Sequence, residues 1–345
     1  MRNGRWLNSR AVPRCLKSIL MAAFAAMLLS TPAITPALAQ TTSLEDLISA
    51  VVKIKTHINP EGRTVQGLGR DREGSGILID ADGLILTIGY LMVEAYAAEV
   101  ITNDGHTVPA SIVGYDHETG FGLLRTIEPL RIRPFAFGKA TDIKEKDVVV
   151  VASGGGAHMV MPVQVVGKRE FVGNWEYLLE EAIYTAPAHP AWSGAALISR
   201  EGKLIGVGSL IVGDAAGTKE HNPGNVFVPI DRLPPILADL LSGGRPSGPG
   251  RPWLGMNADE THGRLMVGRV TPGGPADKAG VQRGDVIVSV NGEATTSLPD
   301  FYRKVWSKGS AGAVIGLDVR HNDSVQHIDI QSVNRLDYLK LNSTF

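Results

Sequence analysis

Few side chains in this 345-residue sequence have the type and spacing to do chemistry. The single cysteine, Cys15, has no companion for a disulfide, a redox pair or a thiolate metal site. Nine histidines are scattered along the chain, none in the H-E-x-x-H pattern that sets two imidazoles on one helix face for zinc. Asp80-Ala81-Asp82-Gly83 resembles the start of a calcium loop but lacks the ligands that must follow, and reads as a turn. Gly154-Gly155-Gly156 lacks the lysine and the strand–helix setting of a phosphate loop. No metal or cofactor is therefore expected. LILTIGYLMVEA (84–95) carries a hydroxyl at Tyr90, and AWSGAAL (191–197) carries one at Ser193. A serine becomes a nucleophile when an imidazole of pKa about 6.5 takes its proton, a carboxylate orients that imidazole and backbone N–H groups receive the oxyanion. A tyrosine, with a phenol pKa of about 10, accepts no proton to useful extent at neutral pH.

The elements that would position these residues begin after residue 39. Arg2, Arg5, Arg10, Arg14 and Lys17 precede the apolar run ILMAAFAAMLL and then Ala37-Leu38-Ala39, the layout of a signal peptide (residues 1–39) with cleavage expected after Ala39 and an exported, periplasmic product. The run is short of the ~20 residues a spanning helix needs, so stable membrane insertion is not expected after cleavage, and Cys15 would leave with the signal. Five of the 34 basic residues and none of the 35 acidic ones lie in that segment, leaving a net charge of −6 and no basic stripe for nucleic acid. The length suits two domains, and 40 Gly with 20 Pro suits a turn-rich globular chain.

After a short helix-like start (Ser43 to Ala50), eleven runs have the length and β-branched content of strands: VVKIKTHI, GILID, LILTI, VITN, SIVGY, GLLRTI, DVVVVAS, VVGKRE, AALIS, KLIGVGSLIV and NVFVPI. Gly/Asp turns separate them and no long helix intervenes, which predicts an antiparallel barrel or sandwich. A helix-like RLPPILADLLSG closes this unit (40–242), and the Gly/Pro-rich 243–252 is a linker. A second β-rich unit (253–336) contains one helix around SLPDFYRKVWS, and 337–345 forms a tail.

GSGILIDADGLILT (74–87), SGAALISREGKLIGV (193–207) and NVFVPI (225–230) resemble segments of the trypsin-like serine proteases of the HtrA (Deg) family. RPWLGM (251–256) and VTPGGPADKAGVQRGDVIVSVNG (270–292) are similar to a bacterial PDZ domain. The resemblance covers Leu44 to Val333 and implies an all-β fold: a trypsin-like double β-barrel, six strands in each, followed by a PDZ domain with one or two short helices. It also assigns positions. Ser193 stands at the nucleophile, Tyr90 at the histidine and Gly120 at the aspartate, while Ala191 and Trp192 replace the Gly-Asn of the oxyanion loop. Two of three triad positions are thus lost, and the resemblance brings Tyr90 and Ser193 together between the barrels. His189, four residues before Ser193, and His117, three before Gly120, are the nearest substitutes for a base; the plain reading of each is a solvated loop histidine.

For the PDZ unit, the resemblance implies that Trp253, Leu254, Gly255 and Met256 form the loop whose backbone N–H groups hold a peptide carboxylate, beside an apolar pocket with Phe301 and Val305 one helical turn apart. The expected partners are peptides or the C-termini of unfolded proteins. A homo-oligomer is possible, although TTSLEDLISAVVKIK lacks the aromatic residues that family trimers use. The expected function is that of an exported pseudoprotease acting as a peptide-binding adaptor or chaperone-like regulator. The alternatives are a serine endopeptidase of envelope protein quality control with an unconventional site, and a small-molecule or cell-wall binder using the vacated cleft.

Overall fold

Alternation along VVKIKTHI sets the first element: Val52, Ile54, Thr56 and Ile58 point into the core while Lys53, Lys55 and His57 lie partly exposed. This strand, β1 (Val51–Ile58), pairs antiparallel with β2 (Asp71–Leu78) and β4 (Ala95–Ile101). With β3 (Leu84–Ile88), β5 (Thr107–Tyr115) and β6 (Phe121–Thr126) it closes a barrel in the order β1-β2-β3-β6-β5-β4. A second closed barrel, in the order β10-β11-β12-β9-β8-β7, is built from β7 (Val148–Ala152), β8 (Val160–Gly173), β9 (Tyr177–Ala186), β10 (Ala196–Ile198), β11 (Leu204–Val212) and β12 (Gly224–Pro229). Closure leaves neither barrel with an open edge. The computed structural model describes residues 43–341. The signal-like segment with Cys15 and the sequon-like Asn342-Ser343-Thr344 lie outside the described residues.

The sequence reading omits one strand. β9 contains Leu-Leu-Glu-Glu-Ala, residues that individually favour helix. Pairing overrides that preference: β9 is held between β8 and β12, and buries Leu178, Leu179, Ala182, Ile183 and Tyr184. The long β8–β9 hairpin therefore ends in a tip, Asn174-Trp175-Glu176, that the sequence reading leaves unassigned.

The third layer is a sheet in the order β13-β14-β15-β17-β18, from β13 (Met256–Thr261), β14 (Arg264–Val270), β15 (Val286–Val290), β17 (Val314–His321) and β18 (Ser324–Gln331), with β16 (Glu293–Ala294) paired to β15. The helix Leu298–Trp306 covers it, capped by the Ser297 hydroxyl accepting from Asp300 N–H and burying Leu298, Phe301, Tyr302 and Val305. Among the described residues no helix is long and apolar enough to cross a membrane.

The chain beyond Val333 returns to the first barrel. Leu336 and Leu339 join its apolar core, and Lys340 N–H donates to Glu94. Glu94, only 3% exposed, also accepts from the N–H groups of Arg63 and Thr64 and from the Thr64 hydroxyl. Burial by itself raises its pKa, but the Thr64, Lys340 and Arg63 bonds outweigh burial and hold it below the usual carboxylate range. Glu94→Ala is expected to cost about 3 kcal/mol in denaturant unfolding, because it strands three backbone donors; Glu94→Gln, which keeps an acceptor, should cost less. With the folded pKa lowered, the Glu94 contribution is complete above about pH 4.5 and fades as pH falls further. The Glu94→Ala deficit measured in urea should accordingly shrink on acidification.

Candidate functional site

β3 ends at Ile88 and the chain turns through a single 3₁₀ turn, Gly89–Leu91, which projects Tyr90 out of the first barrel. Ser193 lies in the loop before β10 of the second barrel, fixed by its carbonyl accepting from Ser75 N–H at 2.8 Å and by Gly194 N–H donating to Gly208 O at 2.9 Å. These loops bring Tyr90 Oη within 2.7 Å of Ser193 Oγ. Tyr90 also donates to the Ser209 carbonyl at 2.8 Å. A phenol has one proton, and a carbonyl can only accept it. Ser193 is therefore the donor toward Tyr90. Burial pushes the Tyr90 phenol up to about 12, so it does not become the phenolate that could take the serine proton at neutral pH.

Among the described residues, the Tyr90 hydroxyl has Ser193 Oγ and the Ser209 carbonyl as partners and no carboxylate. Gly120 occupies a left-handed conformation, φ 79°, where a Cβ would sit 3.4 Å from both Tyr177 Oη and Ile88 Cδ1. Asp116 nearby is engaged in its own turn, accepting from the N–H groups of Glu118 and Thr119 and from the Thr119 hydroxyl. Neither histidine supplies a base, and neither is the solvated loop residue expected from sequence. His117 is held between Tyr115 Oη at 3.1 Å and Arg335 Nη1 at 3.3 Å. Burial and then Arg335 put its pKa well below the ordinary histidine value, so it is neutral. His189, 2% exposed, contacts the Met159 carbonyl through Nε2 at 3.2 Å and accepts from Ala191 N–H through Nδ1 at 3.1 Å. That geometry fixes the tautomer with its proton on Nε2.

The His189 contact bears on oxyanion chemistry. The N–H two residues before the serine is one of the two that would receive an oxyanion, and here it is spent on an imidazole. Trp192 lines the cleft beside Ser193 without filling it: a cavity of about 520 Å³ remains, walled by Tyr90, Tyr115, Tyr177, Trp192 and Trp253 with Arg63, Arg269 and Arg335 at its polar positions.

In the third layer the loop from Trp253 to Met256 already holds a carboxylate, that of Glu176 at the tip of the β8–β9 hairpin. Its oxygens accept from Leu254 N–H at 2.7 Å, Gly255 N–H at 2.7 Å and Met256 N–H at 3.1 Å. Gly255, φ 77°, permits that loop; a Cβ there would meet Trp253 at 3.1 Å and Pro275 at 3.2 Å. Leu254, Met256, Phe301 and Val305 are all buried in one apolar cluster that also contains Leu178. Burial pushes the Glu176 carboxyl up to about 7 against the pull of the three N–H donors and Arg335. Sequence reasoning missed Glu176. A lone glutamate in an unassigned stretch carries no signal, and only the β-run on either side of Asn174-Trp175 could have marked the tip of a hairpin.

Comparison with known proteins agrees with this architecture. Residues 74–207 match the family described as "Trypsin-like peptidase domain" and residues 266–321 the "PDZ domain". The chain is 28% identical over 275 residues to "Serine protease PepD" of Mycobacterium tuberculosis, covering 72% of this chain and 58% of that protein. It is 28% identical over 291 residues to a "Probable periplasmic serine endoprotease DegP-like" of Pseudomonas fluorescens, covering 79% and 59%. It thus spans a little under three-fifths of the length of these relatives. Among solved structures, "HtrA-type protease AlgW with decapeptide" superposes with a TM-score of 0.50 at 22% identity, covering 84% of this chain and 96% of that one, which shows a shared fold.

Placing a histidine and an aspartate at the two positions that the resemblance assigns to them meets two separate obstacles. The double substitution Tyr90→His with Gly120→Asp is expected to lower stability by about 1–3 kcal/mol, since position 120 demands a left-handed backbone. It should still leave fluorescent casein intact, because Ala191 N–H stays on His189. Thermal melts and a casein assay on the one sample check both halves.

Proposed function

We propose that this chain, which belongs to the HtrA (Deg) family by its trypsin-like peptidase domain followed by a PDZ domain, is an exported member that does not cleave peptide bonds and acts as a peptide- or protein-binding adaptor or chaperone-like regulator. One observation carries the reading: the proton of Ser193 is directed to the phenol of Tyr90, with no imidazole or carboxylate in the relay. In a serine protease, removing the base alone costs on the order of 10⁶ in turnover. The spent Ala191 N–H is a second, independent loss.

Export is supported by the signal-like pattern of residues 1–39 and by the word "periplasmic" in the name of the Pseudomonas relative. Binding of peptide C-termini is supported by the three converging N–H groups of Leu254, Gly255 and Met256, a geometry built for a carboxylate. A second reading, a serine-type endopeptidase of envelope protein quality control, is favoured by the retained Ser193 and by relatives that are named serine proteases.

A fluorophosphonate probe separates the two. The purified protein should show no labelling at Ser193 above that of Ser193→Ala, and no casein cleavage over a day. Cleavage that Ser193→Ala abolishes would establish the second reading instead.

A further inference from the structure

The contacts around Glu176 amount to more than an ion held by a loop. Asn174 carbonyl accepts from Ala258 N–H at 3.1 Å, a hydrogen bond along the outer edge of β13, where an added strand would pair. Asn174 also donates through Nδ2 to Asp259 at 2.7 Å and accepts from Asn257 Nδ2 at 3.3 Å. Glu176 N–H donates to Tyr302 Oη at 3.0 Å, and the same hydroxyl donates to Gly173 O at 2.9 Å. Leu178, two residues on, lies in the apolar cluster of Leu254, Met256, Phe301 and Val305. A carboxylate in the loop, a carbonyl on the strand edge and an apolar side chain in the pocket are the three features by which a peptide C-terminus would be recognised.

We infer that the β8–β9 hairpin tip is an internal ligand of the PDZ domain, and that an external chain end binds only by displacing Glu176, Asn174 and Leu178 from the groove. The inference rests on the peptide-binding reading above and supplies its regulation. The hairpin competes intramolecularly, at an effective concentration that a short tether sets in the millimolar range, so the apparent affinity for an external peptide is reduced by the fraction of open molecules. The displacing ligand must have a free C-terminal carboxylate and an apolar last residue, since Glu176 and Leu178 stand in for those two groups.

The test uses the whole purified protein, as wild type, Glu176→Gln and Glu176→Ala. Each is titrated by fluorescence polarisation with a library of ten-residue peptides ending in Leu, Val, Ile or Phe, as free acids and as amides. Hydrogen exchange across residues 253–258 is followed in parallel. Glu176→Ala should bind free-acid peptides at least tenfold more tightly than wild type, amides should gain nothing, and exchange at 254–256 should accelerate. Glu176→Gln, which preserves the hairpin's shape, should fall between and shows that the gain does not come from misfolding. Equal affinity in wild type and Glu176→Ala, or unchanged exchange, overturns the inference and leaves peptide binding standing. Faster exchange with no peptide bound by any of the three proteins supports the occupied loop and overturns the peptide-binding reading.

Discussion

A carboxylate withdrawn from water must find donors or lose its charge, and Glu176 meets this constraint by reaching from one domain into another. Its three partners are the backbone N–H groups of Leu254, Gly255 and Met256. Each side thus satisfies a need of the other. The ion also fixes orientation, because it draws the hairpin tip into contact with Tyr302 and Asn257 and places Trp175 O within 3.1 Å of Arg335. Arg335 in turn begins the segment that leads to Leu336, Leu339 and Lys340 on the first barrel. Both barrels and the PDZ sheet are therefore linked through buried polar groups whose partners lie far apart in sequence.

The same accounting explains the cleft. A serine hydroxyl or a loop N–H left unpaired away from water costs about 1–3 kcal/mol. Here those groups have partners: Ser193 with Tyr90, Tyr90 with Ser209 O, and Ala191 N–H with His189. Ser193, Tyr90 and Ser209 form one hydrogen-bonded chain, and Ala191, His189 and Met159 form another. Replacing Tyr90 consequently breaks two hydrogen bonds before it makes any.

How far the sequence revealed this depended on distance along the chain. The barrel strands were legible because alternation and turn residues are local. β9 was not, since its Leu-Leu-Glu-Glu-Ala core has helical preference and only its neighbours β8 and β12 decide its state. The roles of His117 and His189 escaped for a related reason. A histidine's burial and tautomer are set by whatever packs on it, and Arg335 lies 218 residues from His117. Glu176 was hidden twice, in an unrecognised hairpin and by a partner loop 78 residues away.

The energetics of the occupied groove follow from the same contacts. An external carboxylate replacing that of Glu176 would make similar hydrogen bonds, so the exchange of anions is close to neutral. Three terms tilt it. Glu176 adopts φ 60°, a left-handed conformation costing about 1–2 kcal/mol for a residue with a side chain, which favours release. The hairpin is already ordered by barrel pairing, so closing costs little further entropy, which favours occupancy, whereas a free peptide must surrender its own. Of the hairpin's backbone groups, the Asn174 carbonyl bonds the β13 edge, while an extended peptide could pair along several residues of Met256–Thr261. A ligand of one or two residues therefore lacks the means to win. On the proposed reading, a longer chain end, extended and apolar at its terminus, would gain enough strand pairing to offset its entropy, and length would become part of what the groove selects.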